Sequence, residues 1–355
     1  MAPPQPVPRT MRAVQLRGHG GDEMLEARDD VAVPSPGAGE VLLRVGASAV
    51  NNTDINTRVG WYAKEAGGTG SWSGEAITFP RIQGIDACGT VVVVGDDVSR
   101  VRLGERVLVE PGWRDARTGR QVYLGSEVDG AFAEYVVVPA AAAHRIDSDL
   151  GDAELASFPC SWSTAENMVQ RLGVGSGQRV LVTGASGGVG SAALQLARRR
   201  GAHVIAVAGA DKHQQLIGLA DEVVDRADDL VGRLGAGSVD AVIDVVGGAA
   251  WPSLLEVLRP RGRYAVAGAI GGPVVPLDLR TLYLRDLTLI GCTELDEHVF
   301  ADLVGHIERG EVRPMVAATF ALGDLAAAQQ RFEAKDHVGK IVVQVARDRS
   351  SAGSL

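Results

Sequence analysis

Hydrophobic positions follow two rhythms in this chain, and the change falls near residue 160. Before it, apolar residues alternate with polar ones or form short runs. Arg12–Leu16, Glu40–Ala49, Gly89–Val94, Arg106–Val109 and Gly130–Val138 read as strands. Turn signals such as Pro34-Ser-Pro-Gly-Ala-Gly39 and Val94-Gly-Asp-Asp97 separate them. Many short strands with glycine-rich turns predict a β-barrel-like domain.

After residue 160 short Val/Ile-rich strands alternate with helical patterns. The strands are Val180–Thr183, His203–Ala208, Glu222–Asp225, Val239–Val246, Arg263–Ala267 and Leu287–Gly291. Helices are predicted over Ser191–Arg200, Lys212–Leu219, Asp228–Leu234 and Trp251–Leu258. Strands covered on both faces and joined by helices predict an α/β, doubly wound parallel sheet. Two helices, Glu297–Glu308 and Leu322–Ala334, lead to a strand Lys340–Val345 that is expected to rejoin the first sheet. The expected plan is a disordered stretch over 1–10, a catalytic domain over 11–160, and a nucleotide-binding domain over 161–296. The catalytic domain resumes over 297–346, and 347–355 is a disordered tail.

At 355 residues two domains are the natural expectation. A net charge of −9, with no basic stripe to offset it, argues against nucleic acid or an anionic membrane as partner. Three widely spaced cysteines (Cys88, Cys160 and Cys292) do not form a disulfide framework and fit a reducing cytoplasm. The N-terminal stretch lacks an apolar signal core, and no apolar run approaches the ~20 residues of a membrane-spanning helix.

The stretch Arg179–Gly190 carries the clearest chemistry. An apolar strand bursts into Gly184-Ala-Ser-Gly-Gly-Val-Gly190 and then becomes helical. Strand, glycine turn and helix in that order build a phosphate cradle at which the free N–H groups of the first helical turn point, with Gly184, Ala185, Ser186, Gly187, Gly188, Val189 and Gly190 as candidate cofactor-binding residues. Alanine at 185 stands where the first glycine is usual. An NAD-binding chain places an acid ~20 residues past the glycines to hold the ribose 2′-hydroxyl. Here that place reads Val207-Ala-Gly209, and Asp211 comes late with Lys212 directly after it. The cofactor expected is therefore NADPH, with Lys212 on its 2′-phosphate; the plainer alternative is a solvated lysine at a helix start.

Four stretches carry a family resemblance. They are Val50-Asn-Asn-Thr-Asp-Ile-Asn-Thr-Arg-Val-Gly-Trp-Tyr62, Gly84-Ile-Asp-Ala-Cys-Gly-Thr-Val91, Gly184–Gly190 and Val239–Gly248. Together with the domain order, they resemble the medium-chain dehydrogenase/reductase superfamily, in its zinc-free quinone oxidoreductase and enoyl reductase branch. The resemblance runs from Met11 to Val345. It implies a Rossmann domain inserted into a split, partly open, GroES-like β-barrel, and a homodimer paired through the last Rossmann strand. It also implies cofactor contacts at Thr164, and at Val246, Gly247 and Gly268 on the carboxyl ends of strands.

Zinc-dependent members hold their metal with three ligands, and these fall here on Asn51, Ile85 and Cys160. An amide, an isoleucine and one thiol do not make a zinc site. The expectation is a metal-free enzyme that reduces an electron-poor C=C bond in an enone, an enoyl thioester or a quinone. Oxidising an unactivated alcohol would require a Lewis acid on the alkoxide. The resemblance makes Tyr62 the candidate proton donor, against an alternative in which it only packs beneath the loop 63–76. That loop is itself a lid candidate or an exposed insertion. Asn51 and Asp54 are candidates for positioning substrate or nicotinamide ribose, although Asp54 is equally a turn cap. Asp86 is read as a structural acid with an arginine as its candidate partner. Two rival functions stay open: a metal-free ketone or alcohol oxidoreductase, and an NADPH-binding protein without catalysis.

Overall fold

The computed structural model describes residues 6–62, 71 and 76–346. They divide into two compact units. The first holds residues up to Cys160 with 316–336 and everything from Lys340; the second holds 161–315 with 337–339.

The first unit opens with β1 (Thr10–Leu16), β2 (Leu25–Ala32), β3 (Glu40–Ala49) and helix α1 (Asn52–Val59). Strands β4 (Arg81–Ile82), β5 (Cys88–Val94), β6 (Arg106–Val109), β7 (Gly112–Arg114), β8 (Gln121–Tyr123), β9 (Tyr135–Pro139) and β10 (Ala143–Arg145) follow. Helix α2 (Asp152–Leu155) and the start of α3 (Pro159–Arg171) complete this part. The apolar run of β3 makes it the spine: β5, β9 and the last strand of the chain all pair with it. Register shifts between Leu42 and Leu43 and between Val45 and Ala47 mark bulges that bend it. Val41, Leu43 and Val45 pack with Val91, Val107, Phe132 and Val136 in one core.

Two departures from the sequence reading have local causes. The strand expected over Gly130–Val138 begins only at Tyr135. Gly130, Ala131 and Phe132 instead donate their N–H groups to Ile82, Gly84 and Gln83. A Cβ on Gly130 would lie 2.5 Å from Gly84 O, so this close backbone crossing requires glycine. Strand β2 escaped detection because its residues, Leu-Glu-Ala-Arg-Asp-Asp-Val-Ala, show no regular alternation of polar and apolar positions and none is buried. It is held by its ladder to β1.

The second unit alternates as expected: β11 (Arg179–Val182), α4 (Gly188–Arg199), β12 (His203–Ala208), α5 (His213–Leu216), β13 (Glu222–Asp225), α6 (Leu230–Leu234) and β14 (Val239–Asp244). Then come α7 (Trp251–Val257), β15 (Leu258–Val266), α8 (Leu279–Leu284), β16 (Thr288–Gly291) and α9 (Val299–Glu308). All six strands are parallel in the order β13-β12-β11-β14-β15-β16. The order reverses between β11 and β14, so the strand ends there form the crevice in which such sheets bind nucleotides. Helix α9 also falls in this unit, and Arg199 of α4 holds Glu311 just beyond it at 2.6 Å.

The chain then returns to the first unit with β17 (Val316–Ala321), α10 (Leu325–Glu333) and β18 (Lys340–Gln344). Strand β18 lies antiparallel to β3, with Val342 opposite Ala49. The fold class is the one the motifs implied: a parallel Rossmann sheet inserted into a split, GroES-like barrel domain.

Candidate active site

In the second unit, the turn between β11 and α4 puts its left-handed residue at Gly184 (φ 57°). Ala185 has no positive φ and is fully buried, so alanine at this place carries no backbone strain. A Cβ on Gly190 would lie 2.2 Å from Gly184 O and 2.7 Å from Ala185 Cα. Glycine there lets α4 approach the strand. Gly187 caps the helix and is exposed, while Ser186, Gly188 and Val189 are half-buried. The first α-helical bond runs from Ser191 N to Gly187 O at 2.9 Å, which leaves the first-turn N–H groups for an anion. These residues fit the pyrophosphate of a nicotinamide dinucleotide.

At the end of β12, Gly209 is followed by a short turn that carries exposed Asp211 and half-buried Lys212. The structure adds Arg226, which the sequence reading missed. Its N–H donates to Ala208 O at 2.8 Å, and its guanidinium Nε lies 3.6 Å from where a Gly209 Cβ would be. Asp211 Oδ1 comes within 2.6 Å of that same point. Parallel pairing of Ala208 with Asp225 brings Arg226 there, a signal available only once the register of β13 is known.

Val246 and Gly247 belong to a turn tied down by Asp244, also unmarked in the sequence reading. This fully buried carboxylate accepts Thr183 Oγ1 at 2.5 Å, the N–H of Val246 at 2.8 Å, the N–H of Gly247 at 3.1 Å, and the Tyr264 hydroxyl. Burial, then the charge and hydrogen bond of Asp244, push the Tyr264 phenol up. Gly268 is required by contact, since a Cβ there would lie 2.7 Å from Val245 O. Thr164 is half-buried on α3.

The first unit brings Asn51, Asp54, Asp86, Cys160 and Lys340 into one buried polar cluster. Asp86 Oδ2 accepts Asn51 Nδ2 at 2.7 Å and Lys340 Nζ at 2.9 Å, and Oδ1 accepts the N–H of Cys160 at 2.6 Å. The partner of Asp86 is thus a lysine and not the expected arginine. The amide of Asn51 is engaged by Asp86, by Lys340 Nζ at 2.5 Å and by Ala49 O at 3.2 Å. Asp54 Oδ2 accepts the N–H of Asn51 at 2.8 Å, and Oδ1 that of Gly84 at 3.2 Å. Burial is the largest influence on this carboxyl and pushes it up to about 7. The bond to Asn51 N opposes that shift, and the neighbouring Asp86 adds to it.

Tyr62 follows Gly60, whose φ of 72° ends α1. Its hydroxyl oxygen accepts Asn56 Nδ2 at 3.4 Å, and its ring meets Trp61 edge to face. Burial raises its pKa first of all, a shift opposed by hydrogen bonds with Thr53 and Asn56 and increased by Cys160 and Asp54. The phenol therefore keeps its proton at neutral pH. Most of the loop 63–76 lies outside the described residues.

Residues 37–148 match the family described as alcohol dehydrogenase GroES-like domain, and residues 188–309 the family described as zinc-binding dehydrogenase. The solved structure of a protein assigned as an alcohol dehydrogenase from Sinorhizobium meliloti 1021 is 46% identical, with a TM-score of 0.88. That likeness covers 95% of this chain and 97% of the other. The quinone oxidoreductase of Homo sapiens is 27% identical over 91% of this chain and 94% of its own. The acryloyl-coenzyme A reductase of Metallosphaera sedula is 27% identical over 94% and 99%. The chain belongs to the medium-chain dehydrogenase/reductase superfamily, in its quinone oxidoreductase-like branch. Its members use a nicotinamide cofactor.

Zinc, implied by the second family's name, meets an unsuitable donor set. Among the described residues no three His, Cys, Asp or Glu side chains gather to hold a metal ion. Asn51 offers an amide already bonded to a cation, and Ile85 offers no donor atom.

Proposed function

We propose that the protein is an NADPH-dependent, metal-free reductase of an activated C=C bond, in an enone, an enoyl thioester or a quinone. The carrying observation is the donor set at the ligand positions, where Asn51 offers an amide already bonded to the Lys340 ammonium and Ile85 offers no donor atom. Without a Lewis acid an alkoxide has no strong stabiliser, whereas an electron-poor alkene passes its charge to a conjugated oxygen. The names of the human and Metallosphaera relatives favour the same reading.

When bound, NADPH would supply the hydride for the β-carbon. Tyr62 then donates to the conjugated oxygen or to the α-carbon, its phenol being protonated at neutral pH. Asn51 and Asp54 hold the start of α1 and so fix the helix that leads to Tyr62. Lys212 after β12 and Arg226 after β13 favour a 2′-phosphate, with Asp211 as the competing acid. Three buried cysteines that form no disulfide support a reducing cytoplasmic setting. No helix among the described residues is long and apolar enough to cross a membrane. A homodimer is supported by β16, an edge strand of its sheet, and by exposed Leu279, Tyr283 and Leu284 just before it.

The name of the 46% identical protein favours a second reading, ketone or alcohol oxidoreduction without metal. Steady-state assays with matched enone and ketone substrates separate the two. Turnover of the ketone alone refutes the proposal. A nucleotide that raises the melting temperature while no enone or quinone is consumed points to a non-catalytic role.

A further inference from the structure

Lys340 is one of four lysines in a chain with thirty-one arginines, and it is 3% exposed. Its Nζ lies 2.5 Å from Asn51 Oδ1 and 2.9 Å from Asp86 Oδ2. Through Asp86 the pair reaches the N–H of Cys160, so one cation and one carboxylate join four chain segments: the end of β3, the approach to β5, the first turn of α3 and the start of β18. The orientation of the Asn51 amide follows from this contact. Its oxygen faces the ammonium and its nitrogen faces Asp86 and Ala49 O. Asn51 in turn begins α1, where its N–H meets Asp54, and the same helix carries Asn56, which bonds Tyr62.

We infer that Lys340 is a positioning residue, a built-in cation that fixes Asn51 and Asp86 and through α1 sets the placement of Tyr62. A divalent ion arriving here would meet an ammonium that already occupies both oxygen acceptors, and like charges repel strongly in a buried site. A compact ammonium also suits two oxygens on different segments, whereas a guanidinium presents its donors as a rigid planar fork. The link to Tyr62 rests on the reading of that tyrosine as proton donor; the cation itself does not.

The test is Lys340→Ala, read by melting temperature and by turnover, with methylammonium chloride as probe and sodium chloride at equal ionic strength as reference. The expected result is a lowered melting temperature and a kcat reduced by roughly ten- to a hundredfold, the scale of a misplaced reacting group. KM for NADPH should stay unchanged. Methylammonium should return both quantities toward the starting protein where sodium does not. A melting temperature raised equally by both salts overturns the built-in cation. If Lys340→Ala fails to fold, Lys340→Ala/Asp86→Asn removes both charges and serves instead. In it methylammonium should have no specific effect and kcat should stay low; full turnover in that variant overturns the positioning role. Should the unaltered protein reduce no activated alkene, the proposed reaction falls, while the melting arm still decides the cation.

Discussion

Replacing Asp54 by asparagine removes a proton that the folded chain holds unusually tightly. The carboxyl is 3% exposed, and burial leads the influences that move it from 3.8 to about 7. The N–H groups of Asn51 and Gly84 and the charge of Lys340 limit the rise, while Asp86 increases it. From about pH 4 to pH 7 the unfolded chain has released this proton and the folded chain retains it. The associated stability is therefore complete below about pH 4 and is lost as the pH climbs to about 7. A gap of roughly three pH units corresponds to about 4 kcal/mol. An amide does not titrate, so Asp54→Asn lacks this dependence, although one of the two accepted N–H bonds is lost at every pH. Urea unfolding followed by circular dichroism at steps across this range gives the stability difference between the two proteins, in which the other carboxylates cancel. That difference should move by about 4 kcal/mol in favour of the variant as pH rises from 4 to 7.5. Parallel pH curves would show that Asp54 ionises normally and refute the reasoning.

Tyr62→Phe should lower kcat with little change in NADPH affinity; unchanged turnover in steady-state assays removes the phenol from the chemistry. Lys212→Ala and Arg226→Ala should each weaken NADPH more than NADH in fluorescence titrations, and equal weakening would place neither side chain on the 2′-phosphate. Gly190→Ala puts a methyl 2.2 Å from Gly184 O, so the helix must shift. The expected loss is about 1–3 kcal/mol in unfolding free energy, together with weaker binding of both nucleotides. Elemental analysis of the dialysed protein should find no stoichiometric zinc.

The parallel sheet was legible because most of its strands hold a short apolar run bounded by turn residues, a pattern that survives without tertiary context; β15, Leu-Arg-Pro-Arg-Gly-Arg-Tyr-Ala-Val, shows it only in its second half. The polar cluster was legible only in part. Asn51, Asp54 and Asp86 stand near one another in motifs, but Lys340 lies 254 residues beyond Asp86 and only strand pairing brings it close. Arg226 was hidden for the same reason, since nothing local marks an arginine after β13. Ala185 looked like a defect in the glycine pattern. The structure shows that the demanding backbone angle falls one residue earlier, on Gly184.

Thr183, Asp244 and Tyr264 have a consequence for how the second unit meets its ligand. Thr183 both donates to Asp244 and accepts the N–H of Val245, so the glycine turn and the turn after β14 share one hydrogen-bonded knot. Tyr264 anchors that knot from β15. Loops that would otherwise sample many shapes are thus ordered during folding, and the entropy of arranging them is not charged against nucleotide association. For this chain, the shape that a nicotinamide cofactor would meet is set within the sheet as much as by the contacts made later.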